Sequence, residues 1–122
     1  MDPSIGIPFI EAIAAVIGAE NLAVQGLDYP ASYFNFVQGA EEVHIAAQHL
    51  TPEVAAQISS IVLFGDPRNG IAVEKIDPSK VLVICHEGDL TCKHPPFVTD
   101  THRDYANDAP AVAVFAVEKA GL

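Results

Sequence analysis

Cations are scarce in this sequence: six Lys and Arg stand against sixteen Asp and Glu, a net charge of −10 over 122 residues. Such a balance argues against nucleic acid and anionic membrane surfaces as partners. It names no ligand; by itself it means solubility. Long apolar runs are missing too, so no membrane span is expected. The opening Met1-Asp2-Pro3-Ser4 has neither a basic n-region nor a hydrophobic h-region, so no signal peptide is expected. There are only two cysteines, Cys85 and Cys92, too few to define a compartment. No His-Glu-x-x-His, zinc-spaced Cys-x-x-Cys pair or phosphate-binding glycine loop occurs. The histidines, His44, His49, His86, His94 and His102, therefore read as incidental surface residues, and no metal is expected.

Half of the residues are apolar, which excludes a disordered chain, and the length suits one domain over residues 1–122 with one modest core. Pro8 to Ile17 has apolar residues at helical spacing, with Pro8 at the first position and Gly18 as the stop. Leu22 to Gln25 is expected to be a short strand, ended by Gly26 and the Asp28-Tyr29-Pro30 turn. Gly39 to Leu50 predicts a second helix, with Glu41 and Glu42 near its start and His49 near its end, as the helix dipole favours. Thr51-Pro52 opens a third, with Thr as N-cap. Ile61–Phe64 and Val81–Cys85 are uninterrupted apolar runs, which suit parallel strands covered on both faces. Asp108 is expected to cap a last helix reaching Lys119. This order predicts an α/β fold with helices as crossovers and a sheet of about three strands. The aromatic stretch Ala31 to Val37 lacks periodicity and reads as a junction from which something is absent.

In parallel sheets, functional groups gather past the carboxyl ends of strands. Gly65-Asp66-Pro67-Arg68-Asn69-Gly70 follows one strand, and His86-Glu87-Gly88-Asp89-Leu90-Thr91-Cys92 the other. Cys85 and Cys92 flank Asp89. Either they form a disulfide that closes a small loop and stiffens the carboxylate, or they are two free thiols with no catalytic meaning. Asp89 followed by His102 matches the Asp…His order of α/β-hydrolases, in which Asp fixes the imidazole tautomer and His is the base for a serine. Without a nucleophile that spacing is not diagnostic.

Longer segments resemble the cutinase family. Asn21-Leu-Ala-Val-Gln-Gly-Leu-Asp-Tyr-Pro-Ala31 and the helix before it are similar to the second strand of cutinases and its preceding helix. Ile61-Val-Leu-Phe-Gly-Asp-Pro-Arg-Asn-Gly70 is similar to the strand and turn after the nucleophile helix. Lys80-Val-Leu-Val-Ile-Cys-His-Glu-Gly-Asp-Leu-Thr-Cys92 matches the family's Cys-x-x-Gly-Asp-x-x-Cys block. The resemblance implies an α/β-hydrolase-type three-layer sandwich, with Asp89 and His102 as catalytic residues and a Cys85–Cys92 disulfide. It implies hydrolysis of carboxylic esters such as cutin or acetylated polysaccharide. It also implies no cofactor, an extracellular setting and a monomer.

The nucleophile departs from the family pattern. Cutinases carry serine in a Gly-Tyr-Ser-Gln-Gly elbow between strand and helix. Here Val37 stands at the serine position and Asn35 at the first glycine, while Gln38, whose backbone belongs to the oxyanion hole, and Gly39 continue the pattern. The family also has a few tens of residues, including a central strand, where this chain has only Ser32 to Gln38. Its N-terminal oxyanion strand, ending Arg-Gly-Ser/Thr-Thr-Glu, has no counterpart here, where the sequence starts at the helix that follows it, and the family's other disulfide is absent. The domain is therefore expected to be incomplete at the N-terminus and between about residues 32 and 38. Ser32 lacks an elbow, Ser59, Ser60 and Ser79 precede strands, and Ser4 is expected in a frayed terminus. Three outcomes are consistent with this: a hydrolase relative without activity, a non-catalytic protein binding a lipid polyester or polysaccharide surface, or an incomplete gene model with a weak fold.

Overall fold

The computed structural model describes residues 3–26, 39–93, 101 and 104–122. Its elements are helices α1 (Pro3–Ile17), α2 (Gly39–Gln48) and α3 (Pro52–Gln57), strands β1 (Ile61–Phe64) and β2 (Val81–Ile84), and helix α4 (Ala109–Lys119). The strands pair in parallel, from Ile61 opposite Val81 to Phe64 opposite Ile84. Successive side chains of a strand point to opposite faces. Leu63 turns one way, into a cluster with Ala47, Val73 and Ile76 under α2. Phe64 turns the other way and meets the Phe9 ring of α1 at 6.3 Å. Helix α1 lies along α4, whose Ala109, Val112 and Ala113 are buried. The two strands are thus sandwiched between helices, the layering expected of this class in reduced form.

Several expected element boundaries fall in place for the reasons given. The Thr51 hydroxyl accepts from the Val54 N–H at 3.3 Å, with Pro52 next to it. Gly18, at φ 86°, ends α1, and the Asn21 amide donates to the Ile17 carbonyl at 2.7 Å. Other expectations are corrected. Helix α1 begins at Pro3, so Pro8 lies inside it and Ser4 in its first turn. Helix α2 ends at Gln48, not Leu50. Among the described residues Leu22–Gln25 joins no sheet: Leu22 is extended, at φ −118° and ψ 119°, but the sheet described consists of β1 and β2. The crossover between the strands, residues 65–80, contains turns and a single 3₁₀ turn, not a helix. The cation at the end of α2 is also a different one. Lys75 donates to the carbonyls of Gln48 at 2.7 Å and Leu50 at 2.8 Å, while His49 is exposed.

Candidate functional site

Strand β2 ends at Ile84 and the chain turns at once. Cys85 and Cys92 form a disulfide with their Cα atoms 6.1 Å apart, which closes the loop between them. Gly88 sits at φ 86°, a left-handed conformation that glycine adopts without strain. It delivers Asp89 into the interior, where the residue is 1% exposed. The Asp89 N–H donates to the His86 carbonyl at 3.0 Å, and a 3₁₀ turn over Leu90–Lys93 follows.

A buried carboxylate is tolerated only when its oxygens are satisfied. Asp89 Oδ1 accepts from the Thr91 N–H at 3.0 Å, and Oδ2 accepts from the Tyr105 hydroxyl at 2.5 Å. The Tyr105 oxygen in turn accepts from the His86 N–H at 3.1 Å. Tyr105 is fully buried, its ring 5.6 Å from Phe64 and stacked on the His86 imidazole at 4.2 Å. Burial, reinforced by the hydrogen bond to Asp89, holds its phenol proton well beyond the usual tyrosine range. His86 Nε2 pairs with Asp108 Oδ2 at 2.6 Å. Asp108 does stand at the N-cap of α4, but its side chain makes no capping bond.

A second carboxylate lies at the end of the neighbouring strand. Asp66 is 0% exposed; its Oδ1 accepts from the Arg68 N–H at 2.9 Å, and its Oδ2 meets His44 Nε2 at 2.7 Å. His44, expected on the surface, is 3% exposed, because α2 turns it inward toward that carboxylate. Arg68 also reaches back from the turn to Glu41 of α2, at 3.1 Å. Sequence reading passed over this pair. The signal was there in a second Gly-Asp dipeptide, Gly65-Asp66, at a strand end.

Of the residues expected in the site, Asp89, Cys85 and Cys92 come together at the end of β2. His102, Val37 and Gln38 lie outside the described residues, as do Ser32 and His94. Ser59 and Ser60 stand just before β1 and Ser79 just before β2, at the sheet edge opposite Asp89. Among the described residues no three His, Cys, Asp or Glu gather as metal ligands, and no helix is long and apolar enough to cross a membrane.

A buried acid past a parallel strand, bracketed by a disulfide, is an arrangement that can orient an imidazole. Known proteins carry similar sequences and folds. The family model described as Cutinase matches residues 34–120. A cutinase of Botryotinia fuckeliana is 30% identical, over 97% of this chain and 75% of its own length. That alignment runs over 151 positions, more than the 122 residues of this chain, so the relative has stretches with no counterpart here. Cutinase cut1 of Trichoderma harzianum is 45% identical over 80 residues, 66% of this chain and 32% of that protein. Among solved structures, the Trichoderma reesei cutinase in complex with a C11Y4 phosphonate inhibitor superposes with a TM-score of 0.80 at 30% identity, covering 94% of this chain and 67% of that one. By its sequence and its fold, this chain belongs to the cutinase family.

Proposed function

We propose that this chain is an ester-hydrolase scaffold of the cutinase type that keeps the acid and base, Asp89 and His102, and has no nucleophile to go with them. The observation that carries the acid assignment is the Asp89 carboxylate itself. It is 1% exposed past the end of β2, with a backbone N–H on one oxygen and a phenol on the other. In a serine-hydrolase triad such a carboxylate orients an imidazole and stabilises its protonated form. His102 follows at the family's position and is assigned as that base. The loss of turnover rests on Val37, which stands where the elbow serine belongs. An alignment longer than the chain supports the absence here of stretches that the relative has.

Without serine, an acid–base pair has nothing to activate. In a serine protease, removing the nucleophile lowers turnover by on the order of 10⁶. The scaffold's substrate class, by relationship, is carboxylic esters such as cutin or acetylated polysaccharide in an extracellular setting. The decisive assay is hydrolysis of a short-chain chromogenic ester, with a phosphonate inhibitor as control. No inhibitor-sensitive turnover is expected, and Val37→Ser alone does not restore it, since Asn35 remains where the elbow needs glycine. Inhibitor-sensitive turnover by the unmodified chain overturns this reading. Recovery by Val37→Ser shows an elbow still in place.

A second reading is favoured by the narrow sheet. Two strands alone make a marginal sheet, and β1–β2 is the whole paired sheet among the described residues. An incomplete gene model accounts for that as well as for the short junction. Transcript sequence across residues 32–38 separates the two readings. A longer transcript makes the short chain an artefact; a matching one leaves a pseudoenzyme, for which binding to cutin or xylan without turnover is the measurement.

A further inference from the structure

We propose that Tyr105 is the positioning residue of Asp89, fixing the carboxylate's orientation and tying it to the segment that carries His102; this rests on the triad reading above. The hydroxyl reaches Asp89 Oδ2 at 2.5 Å from sixteen residues further along the chain. It is not free to turn away. Its oxygen accepts from the His86 N–H at 3.1 Å, which leaves the hydroxyl hydrogen directed at the carboxylate. The ring is held between Phe64, at 5.6 Å, and the His86 imidazole, at 4.2 Å. His86 is held in turn by Asp108 at the start of α4. The anchor is therefore built from the ends of both strands and the start of the last helix. Tyr105 stands only three residues after His102.

The chemistry of a phenol suits that task. It donates one hydrogen bond to a carboxylate and stays neutral, so Asp89 keeps the charge that an imidazolium needs opposite it. Donation to the charged form also favours ionisation. A phenol there lets the acid orient the base without competing for its proton.

A residue that merely filled space would behave differently. Tyr105→Phe keeps the ring and removes the hydroxyl. In that variant the Asp89 carboxyl, followed by carbon-13 NMR, is expected to titrate higher by on the order of one pH unit, since one donor to the carboxylate is gone. Among the described residues the ionisable groups beside the phenol are Asp89, Asp108 and His86, and Tyr105→Phe leaves all three in place. Unmoved titration in a folded variant overturns the proposal, whatever happens to stability. If Tyr105→Phe fails to fold, the reciprocal measurement decides. The Tyr105 phenol should ionise at lower pH in Asp89→Asn than in the unmodified protein, and an identical titration means no coupling. The His102 imidazole in the same Asp89→Asn sample tests the triad reading separately. If it does not respond while Tyr105 does, the acid–base assignment falls and the Tyr105 anchor stands.

Discussion

The ends of the two strands carry nearly the same device. Each is a Gly-Asp pair with glycine in the left-handed region, Gly65 at φ 60° and Gly88 at φ 86°. Each aspartate folds back so that Oδ1 accepts from the N–H two residues on, Arg68 for Asp66 and Thr91 for Asp89. This is the Asx-turn that makes aspartate common in such loops. Both residues are fully buried. They differ in what meets Oδ2: an imidazole from α2 for Asp66, a phenol for Asp89. An imidazole can carry a proton and neutralise its partner, which makes a closed structural pair. A phenol stays neutral and leaves the negative charge on the carboxylate. Local backbone geometry therefore does not separate a structural carboxylate from a catalytic candidate. The partner on the second oxygen does.

Breaking the closed pair tests this most strongly. His44→Ala leaves Asp66 buried with a carboxylate oxygen stripped of its imidazole, and removing one partner of a buried pair costs about 3–5 kcal/mol. Urea unfolding should show that loss, and His44→Phe, which fills the space, should not recover it. A loss below about 1 kcal/mol means that water or a rearranged turn takes the place of the imidazole, and the pair is not the pin described here.

The disulfide is the next largest difference, since only the Asp89 loop has one. Closing so short a loop is worth about 2.5 kcal/mol in the chain-entropy account. Replacing Cys85 and Cys92 by serine should lower stability by about that amount. It should also loosen Asp89 while leaving the Asp66–His44 pair intact, seen as faster amide exchange at Thr91 than at Arg68. Equal acceleration at both amides would show that the two strand ends respond as one unit.

What could be read from the sequence follows from the range of the interactions involved. Thr51 as N-cap, Gly18 as helix stop and the apolar runs of β1 and β2 depend on neighbours within a few residues, and they fall where expected. The Gly-Asp block gave Asp89 because the family resemblance marks it. The burial of His44 has no local signal in the sequence, since its partner is 22 residues away. Asp108 occupies its expected N-cap position, yet its carboxylate answers to His86 instead of the helix. Leu22–Gln25 has strand composition but no ladder partner among the described residues, and composition cannot supply one. Tyr105 reaches Asp89 from sixteen residues away, and nothing local in the sequence marks that contact.

High pH offers a third contrast, because among the described residues a phenol meets Asp89 and none meets Asp66. The folded protein holds the Tyr105 proton well above the ordinary value of 10.0, chiefly through burial and next through the bond to Asp89. A raised value in the folded state means that this contribution is complete below the unfolded value, near pH 10, and declines as pH rises toward the folded one. The decline contributed by one such group is about 1.4 kcal/mol per pH unit. Unfolding free energies above pH 10 should fall more steeply for the unmodified protein than for Tyr105→Phe. Parallel curves would mean that Tyr105 ionises as freely in the native state as in the unfolded one.

The smallest expected effect concerns the Asp66 turn. Arg68 lends its backbone N–H to Asp66 and its guanidinium to Glu41, so one residue serves both the buried pair and a partly exposed one. The Arg68–Glu41 side chains keep 33% and 28% of their surface, and solvent screens their attraction. Exposed pairs of this kind contribute about 0.2–1 kcal/mol, and the lower half of that range is expected. A double-mutant cycle with Arg68→Gln and Glu41→Gln isolates the side-chain part, because both variants keep the backbone donor to Asp66. The coupling should shrink as salt rises. A coupling above about 2 kcal/mol, or one insensitive to salt, would mean that α2 is docked on the turn mainly through Arg68. His44 and Asp66 would then be secondary, and the contrast between an imidazole-paired and a phenol-paired carboxylate would have to be redrawn around the arginine.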